Sequence, residues 1–227
     1  MKIKAIVFDL DNTLIDFMKM KRMCVKNAVD AMIDAGLDYD KEKAVEVFFD
    51  MYFSLGIEYQ NVFQEFSLEV LGKVDYKIIG AGISAYRKTK IAYVEPYPHV
   101  ISTLRELSKR GMKLCIVTDA PKIQAWIRLS DMKLHHFFDV VVAFDDTRKL
   151  KPDSRPFKKA LEELKVKPEE CLMVGDWIER DIEGAKKVGM KTCFARYGHI
   201  GKMRASKADY EIDDIQEVIN IVRKNSD

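Results

Sequence analysis

The sequence predicts a doubly wound α/β protein, a Rossmann-like parallel sheet with a bundle of helices inserted after its first strand. Three observations carry this. Short apolar runs recur as strand candidates: Ala5–Leu10, Lys113–Val117, Val140–Phe144, Cys171–Val174, Thr192–Ala195 and a weaker one at Ala208–Ile212. The later runs alternate with amphipathic helical patterns, as expected of parallel strands joined by crossover helices. Between the first two runs lie about a hundred residues, where a crossover needs only a dozen or more.

The elements follow in order. "AIVFDLDNTLID" (Ala5–Asp16) is an apolar strand that surfaces on Asp9 and Asp11. The insertion then reads as four helices. Val25, Ala28 or Val29, and Met32 recur at helical spacing before Gly36; Ala44, Phe48, Met51 and Leu55 before Gly56; Phe63, Phe66 and Val70 before Gly72; a fourth segment runs from about Asp75 toward Lys90. "EPYPHV" (Glu95–Val100) is the return hinge, because prolines stiffen the chain and end a helix. The boundaries are therefore a core of 1–15 and 96–227 and a helical domain of 16–95. In the core, Val100, Leu104 and Leu107 share a helix face that stops at Gly111, and Ile182, Ala185 and Val188 share one that stops at Gly189. A last helix after Asp213 or Asp214 aligns Ile215, Val218, Ile219 and Val222.

Composition narrows the class. Apolar residues at 48% and charged residues at 33% describe a globular chain. A net charge of +2 over 227 residues supplies no field to gather nucleic acid or anionic lipid. No apolar run approaches the ~18 residues that span a bilayer, and Asp9 interrupts the N-terminus before a signal-like core forms. A cytoplasmic location without membrane or nucleic-acid partners is the expectation. Cys24, Cys115, Cys171 and Cys193 form no CxxC pair, and three of them lie in or beside strand runs, as reduced buried cysteines do.

Polar residues collect at the strand ends, where open parallel sheets bind ligands. Side chains alternate along a strand, so Asp9, Asp11 and Thr13 should begin on one side of the chain. "KLCIVTDA" ends in Thr118 and Asp119, "CLMVGDWIERD" in Asp176 with Asp181 a turn later, and "KLKPDSRPF" places Lys151 ahead of a helix. Asp9 and Asp176 suit a hard divalent cation such as Mg²⁺. Thr118 and Lys151 suit phosphate oxygens, one as a neutral donor and one as a point charge. Asp9 suits attack on phosphorus and Asp11 proton transfer, two roles that one carboxylate could not easily combine. Taken singly each residue has an ordinary reading, as a turn, a cap or a solvated lysine. Their order along successive strand ends is what favours chemistry.

"DLDNT", "VTD", "KPD" and "GDWIERD", in this order, resemble the four motifs of the haloacid dehalogenase (HAD) superfamily. The resemblance spans nearly the whole chain, with the helical insertion similar to the mobile cap of subfamily I. It implies a phosphoric monoester hydrolase that uses Asp9 as nucleophile, Asp11 as acid/base, and Thr118 and Lys151 to hold the phosphoryl group. Mg²⁺ would be held by the Asp9 carboxylate, the Asp11 main-chain carbonyl and Asp176, with Asp181 in or beside its shell. The expected substrate is a small phosphorylated metabolite, with a triose phosphate such as glyceraldehyde 3-phosphate the first choice. The alternatives are a phosphomutase sharing the aspartyl phosphate and a non-enzymatic receiver-like phospho-switch. Asp119 and Trp177 depart from the family's frequent asparagine and small residue.

Other motifs fail. "DLDNTLIDFMKM" lacks the glycine and the final glutamate of a calcium loop. "GAGISA" (80–85) sits in the helical insertion without a strand before it. His135 and His136 read as surface residues. Lys19, Lys21 and Arg22 read as a solvated helix face that could also meet a second anionic group of a substrate.

Overall fold

The computed structural model describes residues 2–202 and 204–225. In chain order the elements are β1 (Ala5–Phe8), α1 (Phe17–Asp34), α2 (Lys41–Leu55), α3 (Val62–Leu71), α4 (Tyr76–Tyr93), α5 (Val100–Lys109), β2 (Lys113–Val117), α6 (Lys122–Asp131), β3 (Val140–Val142), α7 (Phe144–Thr147), α8 (Ser154–Leu164), β4 (Cys171–Gly175), a π-helical turn (Ile178–Ile182), α9 (Glu183–Lys186), β5 (Lys191–Ala195), β6 (Tyr210–Ile212) and α10 (Val218–Lys224). They form two compact units, Met1–Asp16 with Glu95–Asp227, and Phe17–Val94.

In the first unit the six strands are all parallel, in the order β3-β2-β1-β4-β5-β6. β1 is central, with Val7 opposite Cys115 on one side and Met173 on the other. Ala5, Val7, Cys115, Val117, Cys171 and Met173 share a face and pack with Phe157, Ala160 and Leu161 of α8. Ile6, Phe8, Leu114, Ile116, Leu172 and Val174 alternate with them and are equally buried. Burial on both faces explains why these strands read as continuous apolar runs. The chain leaves β1 toward β2 and β3, then returns to add β4 on the other side. The crevice beyond β1 and β4 is therefore the topological switch point, where such sheets take ligands.

The second unit is the helical one. Asp40 caps α2 by accepting from Lys43 N–H, and Asp75 caps α4 by accepting from Lys77 and Ile78 N–H. Its core centres on Phe48, stacked on Phe66 with ring centroids 4.2 Å apart and met edge-on by Phe63. The glycines of "GAGISA" lie within α4, and a Cβ on Gly82 would come within 2.7 Å of Met32. A small residue there lets α1 and α4 pack closely, which accounts for the motif without a nucleotide. Lys21 is not on a solvated face: it is buried in α1, its ammonium 4.0 Å from the Tyr52 ring centroid, where a desolvated cation–π contact offsets part of the burial cost. Lys19 and Arg22 are exposed.

Element ends differ from the sequence reading in several places; β6, for one, starts at Tyr210 rather than Ala208. β1 stops at Phe8 rather than Leu10, because Leu10 O accepts from Leu14 N–H and closes a turn. β3 stops at Val142, and Phe144 already opens α7. The helix after β4 starts as a π turn, in which Trp177 O accepts from both Asp181 and Ile182 N–H.

Candidate active site

Asp9 follows the last residue of β1 and is almost buried. Its Oδ1 accepts from Lys151 Nζ at 2.5 Å. The same ammonium donates to Asp181 Oδ1 at 2.6 Å and to the Val117 carbonyl at 3.1 Å, which uses all three of its hydrogens. Lys151 is thus no surface lysine but a buried cation tying the ends of β1, β2 and β4 together. Burial alone would lower its pKa; Asp181, Asp9 and Asp119 outweigh it and keep the ammonium charged.

Asp181 is held from both sides. Its second oxygen accepts from Trp177 N–H at 3.0 Å. The π turn brings its carboxylate over Gly175, where an added Cβ would lie 2.4 Å from it, so glycine at the end of β4 makes the room. Asp176 Oδ1 accepts from the buried Thr13 hydroxyl at 3.2 Å. Asp9, Asp176 and Asp181 each place a carboxylate oxygen within 4.8 Å of the others. Such crowding has a cost. Burial, opposed by Lys151 and reinforced by Asp181 and Asp11, pushes Asp9 up to about 8. Burial and the charges of Asp9 and Asp181 hold Asp176 well above the ordinary carboxylate range.

Thr118 directly follows β2, and its hydroxyl accepts from Ala120 N–H at 3.1 Å. Asp119 beside it accepts the Lys151 main-chain N–H at 2.8 Å and pairs with Arg180 at 3.2 Å. Arg180 lies 4.1 Å from the Trp177 ring centroid. Asp119 therefore arrives with its own cation and serves the lysine's main chain.

Asp9, Asp11 and Thr13 do not continue one alternating side. β1 has already ended at Phe8, and Asn12 takes a left-handed conformation (φ 62°), so no pleat carries through the turn. Asp9 faces Lys151, Thr13 faces Asp176, and Asp11 Oδ2 accepts from Arg128 Nη1 at 2.8 Å. The loop after β5 buttresses this turn. Tyr197 donates to the Thr13 carbonyl at 2.8 Å, His199 Nδ1 lies 3.0 Å from the Asp176 carbonyl, and Gly198 passes so close that a Cβ would stand 1.6 Å from the Asn12 carbonyl oxygen. Arg128, Arg180, Tyr197, Gly198 and His199 were not singled out from sequence. Only Arg128 carried a signal there, since it falls on the apolar stripe Ala125–Leu129–Met132 of its helix.

A family model described as "Haloacid dehalogenase-like hydrolase" matches residues 6–195. The chain belongs to the haloacid dehalogenase-like hydrolases. Along its length this hydrolase is 38% identical to a glyceraldehyde 3-phosphate phosphatase of Methanocaldococcus jannaschii, over 97% of both chains, and 35% identical to one of Methanopyrus kandleri, over 98% of both. A crystal structure of a HAD phosphatase from Thermococcus onnurineus superposes with a TM-score of 0.73 at 28% identity, covering 99% of this hydrolase and all of that chain. The buttress of Tyr197, Gly198 and His199 lies just beyond the matched segment.

Proposed function

We propose that this hydrolase is a Mg²⁺-dependent phosphatase of small phosphate esters, with glyceraldehyde 3-phosphate as its first substrate candidate. Full-length similarity to phosphatases of that name supports the substrate. The observation that carries the chemistry is Lys151 bridging Asp9 and Asp181 beside Asp176 and Thr118. The helical unit Phe17–Val94 serves as the substrate-selecting cap.

The donor set fits a hard divalent cation. Asp9, Asp11, Asp119, Asp176 and Asp181, when ionised, outweigh Lys151, Arg128 and Arg180 by two charges. Oxygen ligands of this kind suit Mg²⁺, and a dication balances the count. Asp9 and Asp176 would supply carboxylates and Asp11 its main-chain carbonyl, while Asp181, with both oxygens engaged in the protein, stands behind them. When bound, the cation neutralises the carboxylates and the phosphate so that two anions can meet.

The side chains divide the remaining work. Thr118, whose oxygen accepts from Ala120 N–H, keeps its own hydrogen for a phosphoryl oxygen, and Lys151 holds the Asp9 carboxylate in line for attack. Asp9 forms an O–P bond as the ester O–P bond breaks, and Asp11 gives its proton to the departing alkoxide. Asp11 then takes a proton from water as the water oxygen bonds to phosphorus, and the Asp9–phosphorus bond breaks to release inorganic phosphate and the free carboxylate.

The test is phosphate release from glyceraldehyde 3-phosphate and from an aryl phosphate, with Mg²⁺ and with chelator, for the wild type and Asp9→Asn. Turnover should need the cation and vanish in a folded D9N protein. Metal-independent turnover, or an active D9N enzyme, would overturn the reading.

A further inference from the structure

Arg128 has no part in the chemistry above, yet it is only 1% exposed and among the largest fully buried side chains of the protein. A guanidinium does not shed its charge when buried, so leaving water is costly unless strong partners receive it. Its position is therefore informative. It sits on α6, the helix that leaves the strand end carrying Thr118 and Asp119, and its Nη1 reaches Asp11 Oδ2 at 2.8 Å. Ala125 and Leu129 around it are fully buried, so the helix face that carries the guanidinium is fixed by packing.

We propose that Arg128 is the positioning residue for Asp11. It binds Oδ2 and so turns Oδ1 toward the leaving-group oxygen of the ester. The inference rests on the phosphatase reading of Asp11. Its physical need is clear from the turn that bears Asp11. β1 ends at Phe8, three residues before Asp11, so the strand pleat no longer dictates where that side chain points, and an aspartate has two torsions to fix. A general acid must lie within about 2.6–3.2 Å of the atom it protonates, and a misplacement near 1 Å can cost on the order of 10²-fold. Lys151 cannot serve, because its three hydrogens go to Asp9, Asp181 and Val117. Two carboxylates one residue apart are thus kept on separate tasks by separate cations, Lys151 for Asp9 and Arg128 for Asp11.

The experiment compares wild type, Arg128→Gln, Arg128→Lys, Asp11→Asn and the double variant D11N/R128Q. It measures kcat and KM on glyceraldehyde 3-phosphate and p-nitrophenyl phosphate at saturating Mg²⁺, with thermal melts alongside. An alkoxide leaves badly without a proton, whereas p-nitrophenolate needs little help. R128Q should therefore lose roughly 10–100-fold in kcat on the alkyl ester and several-fold less on the aryl ester, with KM little changed. R128K should recover part of the alkyl activity. In the D11N background R128Q should add almost no further loss, because residues acting through one another are not additive. If R128Q does not fold, a leaving-group-selective loss in R128K supports the proposal. Equal losses on both esters in the folded variants, or losses that multiply in the double variant, would overturn it while leaving the phosphatase reading intact. Absence of turnover by the wild type on either ester would overturn that reading, and this inference with it.

Discussion

A carboxylate at position 119 stands next to Thr118, the hydroxyl proposed to meet phosphate, where added negative charge should repel the substrate. Arg180 resolves the conflict: it pairs with Asp119 at 3.2 Å and rests over Trp177. The pair is partly exposed, so its net effect on stability is small, and its role should surface in binding instead. Arg180→Ala is predicted to raise KM roughly 3–10-fold, an energy of about 0.7–1.4 kcal/mol, with kcat nearly unchanged. Asp119→Asn in the same chain should bring KM back, since the amide oxygen still accepts the Lys151 N–H. An unchanged KM in R180A, or no rescue by D119N, would show that the pair does not tune the phosphate site. The same pair shows what sequence can and cannot reveal. Asp9, Thr118 and Asp176 stand out because each ends an apolar run at a strand terminus. Arg180 and Arg128 depend on partners 61 and 117 residues away, and no local pattern encodes those distances.

At the scale of elements, apolar periodicity and glycine stops made the helices legible, and the structure adds their caps. Asp40 and Asp75 precede two of them as caps, and Gly72 follows a third in the left-handed conformation that favours glycine. The strands were legible because burial on both faces leaves an unbroken apolar run. The short irregular pieces were not. The π turn needs one carbonyl to accept two N–H groups, a choice made by the fit of Asp181 over Gly175 and Lys151 rather than by propensity. The turn at Asn12 is likewise set from outside, by the loop that follows β5. Gly198→Ala tests that dependence. Its Cβ would collide with the Asn12 carbonyl, a backbone atom that cannot rotate away. Turnover should fall by at least about tenfold as the turn bearing Asp11 and Thr13 shifts, while melting stays cooperative at a cost of about 1–3 kcal/mol. Wild-type kcat in a folded G198A protein would separate the buttress from catalysis.

Over the whole molecule the charges nearly cancel, 38 basic residues against 36 acidic, so the acidity of the site is a local property that folding creates. That ties global stability to pH and to metal. In the metal-free protein Asp9 is raised from 3.8 to about 8, and Asp176 moves the same way. An acid that holds its proton more tightly when folded stabilises the fold at low pH. That contribution is fully present below the unfolded value near 4 and is lost as pH climbs toward about 8. A divalent cation held by these carboxylates, as proposed, would reverse the balance, because it would replace the protons and bind only where the carboxylates are gathered. At 100 times its dissociation constant it would add about 2.7 kcal/mol, a Tm gain of roughly 5–10 °C for a chain of this size. Protons compete for the same oxygens, so the gain should be small near pH 5 and largest near pH 8. Metal-free melting should decline across that window more steeply than melting of the Asp9→Asn/Asp176→Asn variant, which has lost both titrating groups. Melts with Mg²⁺ and with chelator at pH 5, 6.5 and 8 read out both slopes. A Mg²⁺ shift that is absent, equal at all three pH values, or retained by the double variant would show that these carboxylates are not the cation's ligands.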